Sequence, residues 1–143
     1  MKPAKLFVYG ILKRGYSLDL GQFPETSFTG EAFLQGAQLH AIGSGVGLRF
    51  VLDPLEVAHG EVWAIPDSMW DYLDEIESNG RVYTRKIVDV KQEFATGPDY
   101  GGETHTVKVW VYAHTMLATQ AEYDKHYPKI EDGRYVGYEK TQI

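Results

Sequence analysis

Leu6-Phe7-Val8-Tyr9-Gly10-Ile11-Leu12-Lys13-Arg14-Gly15 is the stretch that decides how this chain is built. Leu6 to Tyr9 runs apolar without a polar break, the pattern of a strand buried on both faces rather than one with a wet side. Gly10 stops the run at a point where the backbone turns without a Cβ penalty. A buried strand ending in a tight glycine turn aims main-chain N–H groups at one place. Such a nest suits a carboxylate or an oxyanion, although a plain strand and turn would read the same over these residues.

A second feature lies further along, at Pro66-Asp67-Ser68-Met69-Trp70-Asp71-Tyr72-Leu73-Asp74-Glu75-Ile76-Glu77. Asp67 or Ser68 can cap a helix with an acidic first turn, and Ser78-Asn79-Gly80 supplies the stop. At about 100° per residue, Met69, Trp70, Leu73 and Ile76 share one face, while Asp71 and Glu75 point to water. Glu77 falls within the apolar arc. It either escapes to solvent at the helix end or is buried. Burial would disfavour its charged form and raise its pKa to roughly 6–7, a useful value for a general base near neutrality. An untuned carboxyl near ~4.3 would lose about 5 kcal/mol in accepting a proton from an α-ammonium of pKa ~8.

The remaining chain is strand-rich. Phe28 to Ala41 reads as one long strand or two, Leu48 to Leu52 as a short one, and Val57 to Ile65 as another. Tyr83 to Val90, reaching as far as Phe94, and Thr106 to Ala113 complete the set. Ile42-Gly43-Ser44-Gly45-Val46-Gly47 reads as a flexible loop, and Thr96 to Thr104 as a loop or hairpin connection. A short helix over Ala118 to Tyr127 stops at Pro128, and the tail from Ile130 packs rather than dangles. Strands before and after one firm helix, without βαβ alternation, imply an α+β fold: a small mixed, barrel-like sheet with a few peripheral helices.

With 143 residues, 43% hydrophobic and 13% aromatic, residues 1–143 are expected to form a single domain with a sizeable core. The chain has no cysteine, which excludes disulfides and thiolate metal sites and suits a reducing compartment. With no membrane-length apolar stretch and no signal-peptide pattern, it reads as soluble and cytoplasmic. A net charge of −6 argues against nucleic-acid binding. Lys13-Arg14-Gly15 lacks the glycine spacing of a phosphate loop, and the five histidines, read as scattered, show no metal-site spacing. Arg85 and Asp74 are assigned structural roles, Glu61 has an ambiguous side, and at most one of Trp110 and Tyr112 is expected to line a pocket. The oligomeric state is not legible.

Taken in order, these segments resemble the γ-glutamylcyclotransferase-like family. Leu6 to Gly15 is similar to its apolar strand followed by Tyr-Gly-(Thr/Ser)-Leu, and His59-Gly60-Glu61-Val62-Trp63 to its Gly-Glu-Val-Tyr strand. Leu73-Asp74-Glu75-Ile76-Glu77 is similar to its Leu-Asp-x-x-Glu helix end, and Tyr83-Thr84-Arg85 to its Tyr-x-Arg. Val107 to Tyr112 and Ile130 to Tyr135 resemble its late aromatic strand and its close. The chain departs from the pattern at Ile11, where Thr or Ser is usual, at Ser78, where Gly is common, and in the 42–47 loop, which lacks a proline.

The resemblance implies cyclisation of a γ-glutamyl group to 5-oxoproline with release of the attached amine. It makes Glu77 the catalytic base and acid, and Tyr9, Gly10, Ile11 and Leu12 the substrate-holding loop, with Tyr83 assisting. Because the substrate brings its own nucleophile, no Ser or Cys is needed, and the reaction calls for no metal or other cofactor. The partner would be a small γ-glutamyl compound. The alternative is a small-molecule-binding module on the same fold that has lost turnover.

Overall fold

The computed structural model describes residues 4–10, 12–16, 19–42, 45–77, 83–93, 104–114 and 120–134. Among these residues seven strands form: β1 (Lys5–Val8), β2 (Ser27–Gln35), β3 (Ala37–Ile42), β4 (Gly45–Phe50), β5 (Val57–Ala64), β6 (Tyr83–Glu93) and β7 (Thr104–His114). Two short helices accompany them, α1 (Trp70–Ile76) and α2 (Gln120–His126). Five strands close into a barrel in the order β1-β5-β2-β6-β7, while β3 and β4 pair separately as a hairpin. The barrel pairings are antiparallel except at the closure, where β1 meets β7 in parallel at Leu6 and Trp110. The architecture is therefore the α+β, barrel-like one read from the strand pattern.

The continuous apolar run of β1 has a direct cause. Phe7 and Tyr9 join the barrel interior, which gathers Ala32, Leu34, Ala58, Val62, Val90, Val109 and Val111 from the other four strands. Leu6 and Val8 face the other way, into a second cluster with Trp63, Ile65, Met69, Leu73 and Tyr112. Helix α1 covers that outer face, so β1 is packed between two layers and has no solvent side.

Two local readings need correction, and the choice between one strand and two over Phe28–Ala41 is decided. Residues 42–47 are not a loop beside a later strand: β3 runs to Ile42 and β4 already starts at Gly45, with Gly43 and Ser44 outside the described residues. The β3–β4 ladder, from Ala37 opposite Phe50 to Ile42 opposite Gly45, extends pairing into a glycine-rich sequence that local propensity disfavours. The Phe28–Ala41 segment is two strands, broken at Gly36, whose φ of 75° requires glycine. The helix is capped by neither Asp67 nor Ser68. It opens with a 3-10 turn at Asp67–Met69 behind Pro66, with no side-chain cap bond. Of the proposed 96–104 connection, only Thr104 lies within the described residues, and it belongs to β7.

A strap of chain after α2 ties the hairpin to the barrel. Ala41 N–H donates to the Pro128 carbonyl, Ile130 N–H to that of Leu39, and His59 N–H to that of Gly133. Gly133 has φ 68° and presses on the Val57 carbonyl so closely that a Cβ would overlap it. Gly133→Ala is therefore expected to cost at least about 2 kcal/mol of stability, read from the urea midpoint at unchanged slope.

Candidate active site

Where β1 ends, a cavity of about 90 Å³ opens, lined by Phe7, Val8, Tyr9, Gly10, Leu12, Val46, Glu77, Tyr83 and Tyr112. Of the residues singled out from sequence, Tyr9, Gly10, Leu12, Glu77 and Tyr83 meet there. Ile11 lies outside the described residues. Val46 and Tyr112 complete the wall, from the hairpin and from β7. Trp110 does not line the cavity, but not because it faces away from Tyr112: two residues apart, both lie on the face turned toward α1.

Gly10 is required by space. It has no left-handed φ, and a Cβ on it would stand 2.6 Å from Val46 Cγ1. The bend itself is a turn closed by Lys13 N–H donating to the Gly10 carbonyl at 3.0 Å. The anticipated nest is partly spent within the protein. Arg14 N–H donates to Glu61 Oε1 at 3.0 Å and Gly15 N–H to Asp19 Oδ2 at 2.9 Å. Among the described loop residues, Gly10 and Leu12 are left to face the cavity.

The tyrosine hydroxyls brace the walls. Tyr9 donates to the Tyr112 carbonyl at 2.5 Å and accepts from Leu48 N–H at 3.2 Å, linking β7 to the hairpin. Tyr83 donates to the Val46 carbonyl at 2.9 Å. Tyr112 donates to Asp74 Oδ1 at 2.6 Å, and Arg85 pairs with Asp74 Oδ2 at 3.1 Å while stacking on Trp70 and Trp110. Asp74 and Arg85 thus fasten the end of α1 to β6 and β7, one turn before Glu77. A seven-residue helix is marginal alone, so this clamp matters to where Glu77 sits.

Glu77 is the C-cap of α1, its N–H bonded to the Leu73 carbonyl at 3.0 Å. Burial alone pushes its carboxyl from the usual 4.5 up to about 7. Its charge is felt by three tyrosines. Tyr9 is held well above its ordinary range by burial and then by Glu77. Tyr83 is pushed up to about 12 by the same two causes in the same order. Burial, followed by the bond to Asp74, raises Tyr112 further. All three remain protonated at neutral pH, leaving Glu77 as the proton acceptor of the cavity.

Sequence reading missed one cluster beside this wall. His40 and His114 are both core residues, as the surface-or-core reading of the histidines allowed, but they meet: their rings lie 5.2 and 5.6 Å from that of Tyr123. Burial and then the charge of His40 lower the His114 pKa. Their sequence separation gave no sign of it, because β3, β7 and α2 bring them together. Among the described residues, no group of three His, Asp or Glu could hold a metal ion. No helix among them is long and apolar enough to cross a membrane.

A sequence model of the family described as gamma-glutamyl cyclotransferase, AIG2-like, matches residues 6–137. The chain belongs to this family. A search of curated proteins finds no match. Among solved structures, an AIG2-like protein from Mus musculus superposes with a TM-score of 0.69 at 20% identity, covering 100% of this chain and 95% of that one. An uncharacterized protein from Pyrococcus horikoshii gives 0.61 at 18% identity, covering 92% and 89%. The protein ytfP from Escherichia coli gives 0.60 at 22% identity, covering 92% and 96%. These likenesses establish the AIG2-like cyclotransferase fold for this chain.

The Glu77 shift has a consequence for stability that is independent of any reaction. Between pH 4.5 and about 7 the folded chain holds a proton that the unfolded chain has released, so stability falls as pH rises through that window. Glu77→Gln stays neutral throughout and escapes the loss. The variant should match the parent below pH 4.5 and exceed it above pH 7 by up to about 3 kcal/mol. Thermal unfolding of both proteins across that pH range checks it.

Proposed function

We propose that this protein is a γ-glutamyl cyclotransferase, converting a γ-glutamyl amine or amino acid into 5-oxoproline and a free amine. The observation that carries the reading is one carboxyl with a pKa of about 7, in a cavity it shares with the bend that ends β1. Family membership supports the same chemistry.

In this reading Gly10 and Leu12, with Ile11 between them in sequence, hold the γ-glutamyl moiety, and main-chain N–H groups steady its carboxylate or the developing oxyanion. Glu77 takes a proton from the α-ammonium. The freed amine attacks the γ-carbonyl carbon, forming the ring C–N bond. Glu77 then gives its proton to the departing nitrogen as the original amide C–N bond breaks, and the carboxylate so regenerated passes the ring nitrogen's surplus proton to the freed amine, which leaves as its ammonium. One carboxyl serves both steps, and a pKa near neutrality suits it to both. A carboxyl at 7 faces an ammonium of ~8 with a deficit of only about 1.4 kcal/mol. Tyr9 and Tyr83 shape the wall and keep their protons.

The test is a panel of γ-glutamyl amines and dipeptides assayed for 5-oxoproline. The expected result is product from at least one compound, with Glu77→Gln lowering kcat at least about 10³-fold. The kcat/KM of the parent should rise with pH through about 7, because Glu77 must be ionised to act as base. Tight binding without product would favour the binding-module reading, for which Ile11 in place of Thr or Ser is the sequence feature.

A further inference from the structure

Glu61 is a buried carboxylate that the proposed reaction does not use. It sits on β5 opposite Val8, the last residue of β1, with only 7% of its surface exposed. Two donors converge on Oε1: the Arg14 main-chain N–H at 3.0 Å and the Trp63 indole N–H at 3.1 Å. The Arg14 side chain reaches Oε2 at 3.4 Å, but that side chain is half exposed and lies over Phe28. The main-chain bond is therefore the shielded one. A buried carboxylate oxygen accepting from backbone N–H makes a charge-assisted bond, stronger than a neutral pair.

The segment it holds is the bend behind the cavity. Lys13 N–H closes the first turn on Gly10, and Tyr16 N–H closes a second on Lys13 at 3.2 Å. In that second turn Gly15 has φ 86° at the third position, the signature of a type II turn with Arg14 at the second. Leu20 N–H then returns to the Leu12 carbonyl at 3.0 Å. Every one of these bonds is local except the one to Glu61, which ties the bend to the barrel wall.

We propose that Glu61 is a positioning residue: by accepting from the Arg14 main-chain N–H, it sets where Gly10 and Leu12 stand in the cavity. The proposal rests on the cyclotransferase reading for its kinetic consequence, not for its structural one.

The local turn chemistry supplies a test that separates this role from ordinary packing. Proline is favoured at the second position of a type II turn, so Arg14→Pro fits the turn while deleting the N–H that Glu61 holds. Turn propensity alone makes it neutral or stabilising. The proposal makes it lower kcat/KM by about tenfold to a hundredfold, the worth of a hydrogen bond to a buried charge. Arg14→Ala keeps the N–H and should stay within about threefold of the parent. The midpoint of the pH–rate profile, set by Glu77, should remain at about 7 in both.

Hydrogen exchange at the amides of residues 12–16 gives a readout without substrate. Exchange should quicken at least about tenfold in Arg14→Pro and Glu61→Ala and stay unchanged in Arg14→Ala. If no γ-glutamyl compound turns over, the cyclotransferase reading fails, and exchange alone still decides on Glu61. Equal exchange in Arg14→Pro and Arg14→Ala, with or without equal activity, overturns the proposal. Should Glu61→Ala not fold, the proline variant carries the test, because it leaves the buried carboxylate and the barrel core in place.

Discussion

The sandwiching of β1 between two apolar layers is the constraint on which the rest depends. A strand with one wet face can leave the sheet into solvent. One with Phe7 and Tyr9 in the barrel and Leu6 and Val8 under α1 ends inside the molecule. The chain then reverses through a bend that is buried at Gly10 and Leu12 and partly open at Lys13, Arg14 and Gly15, and its buried polar groups must find a partner or face the cavity. Lys13, Arg14 and Gly15 find carbonyl or carboxylate partners, and Gly10 and Leu12 face the cavity. The pocket at the end of β1 opens where the doubly buried strand gives way to this bend.

The acids around this pocket divide by how their charge is met. Asp74 receives the Tyr112 hydroxyl and the Arg85 guanidinium. Glu61 receives a backbone N–H, an indole N–H and a guanidinium. Glu77 has no ion pair among the described residues, and burial is the sole cause of its shift. Partners of this kind fix where a carboxylate points. Asp74 and Glu61 thus help build the site, while Glu77 carries the shift that burial alone produces.

Much of this was legible in the residues because it follows from short-range pattern. The unbroken run Leu6–Tyr9 signalled double burial, and the helical spacing of Met69, Leu73 and Ile76 put Glu77 in the apolar arc without deciding whether it was buried there. Helix and strand ends were less legible. Asp67 and Ser68 are good caps, yet Pro66 and a 3-10 turn set the start, and the glycines of residues 42–47 concealed the hairpin. What could not be read were contacts made by closure. Nothing local says that Tyr112 bonds Asp74, that Val46 needs a glycine at position 10, or that His40 and His114 meet around Tyr123. Such pairs are set by barrel order and by the strap, which sequence separation does not encode.

The hairpin shares no ladder with the barrel. It is joined to the cavity by two tyrosine hydroxyls, Tyr9 on Leu48 and Tyr83 on Val46, and by the contact of Val46 with Gly10. From outside, residues 128–130 hold β3 by backbone bonds, and Lys129 pairs with Glu56. One wall of the pocket is thus supplied by a unit outside the barrel ladder, although its Ala37, Leu39, Val46 and Leu48 share one core with the barrel interior. Glu77 and the bend after β1, by contrast, are fixed to the barrel itself through Asp74, Arg85 and Glu61. The Glu77 carboxyl is thus anchored on the barrel ladder and part of the pocket's shape comes from the hairpin, with the shared core coupling the two.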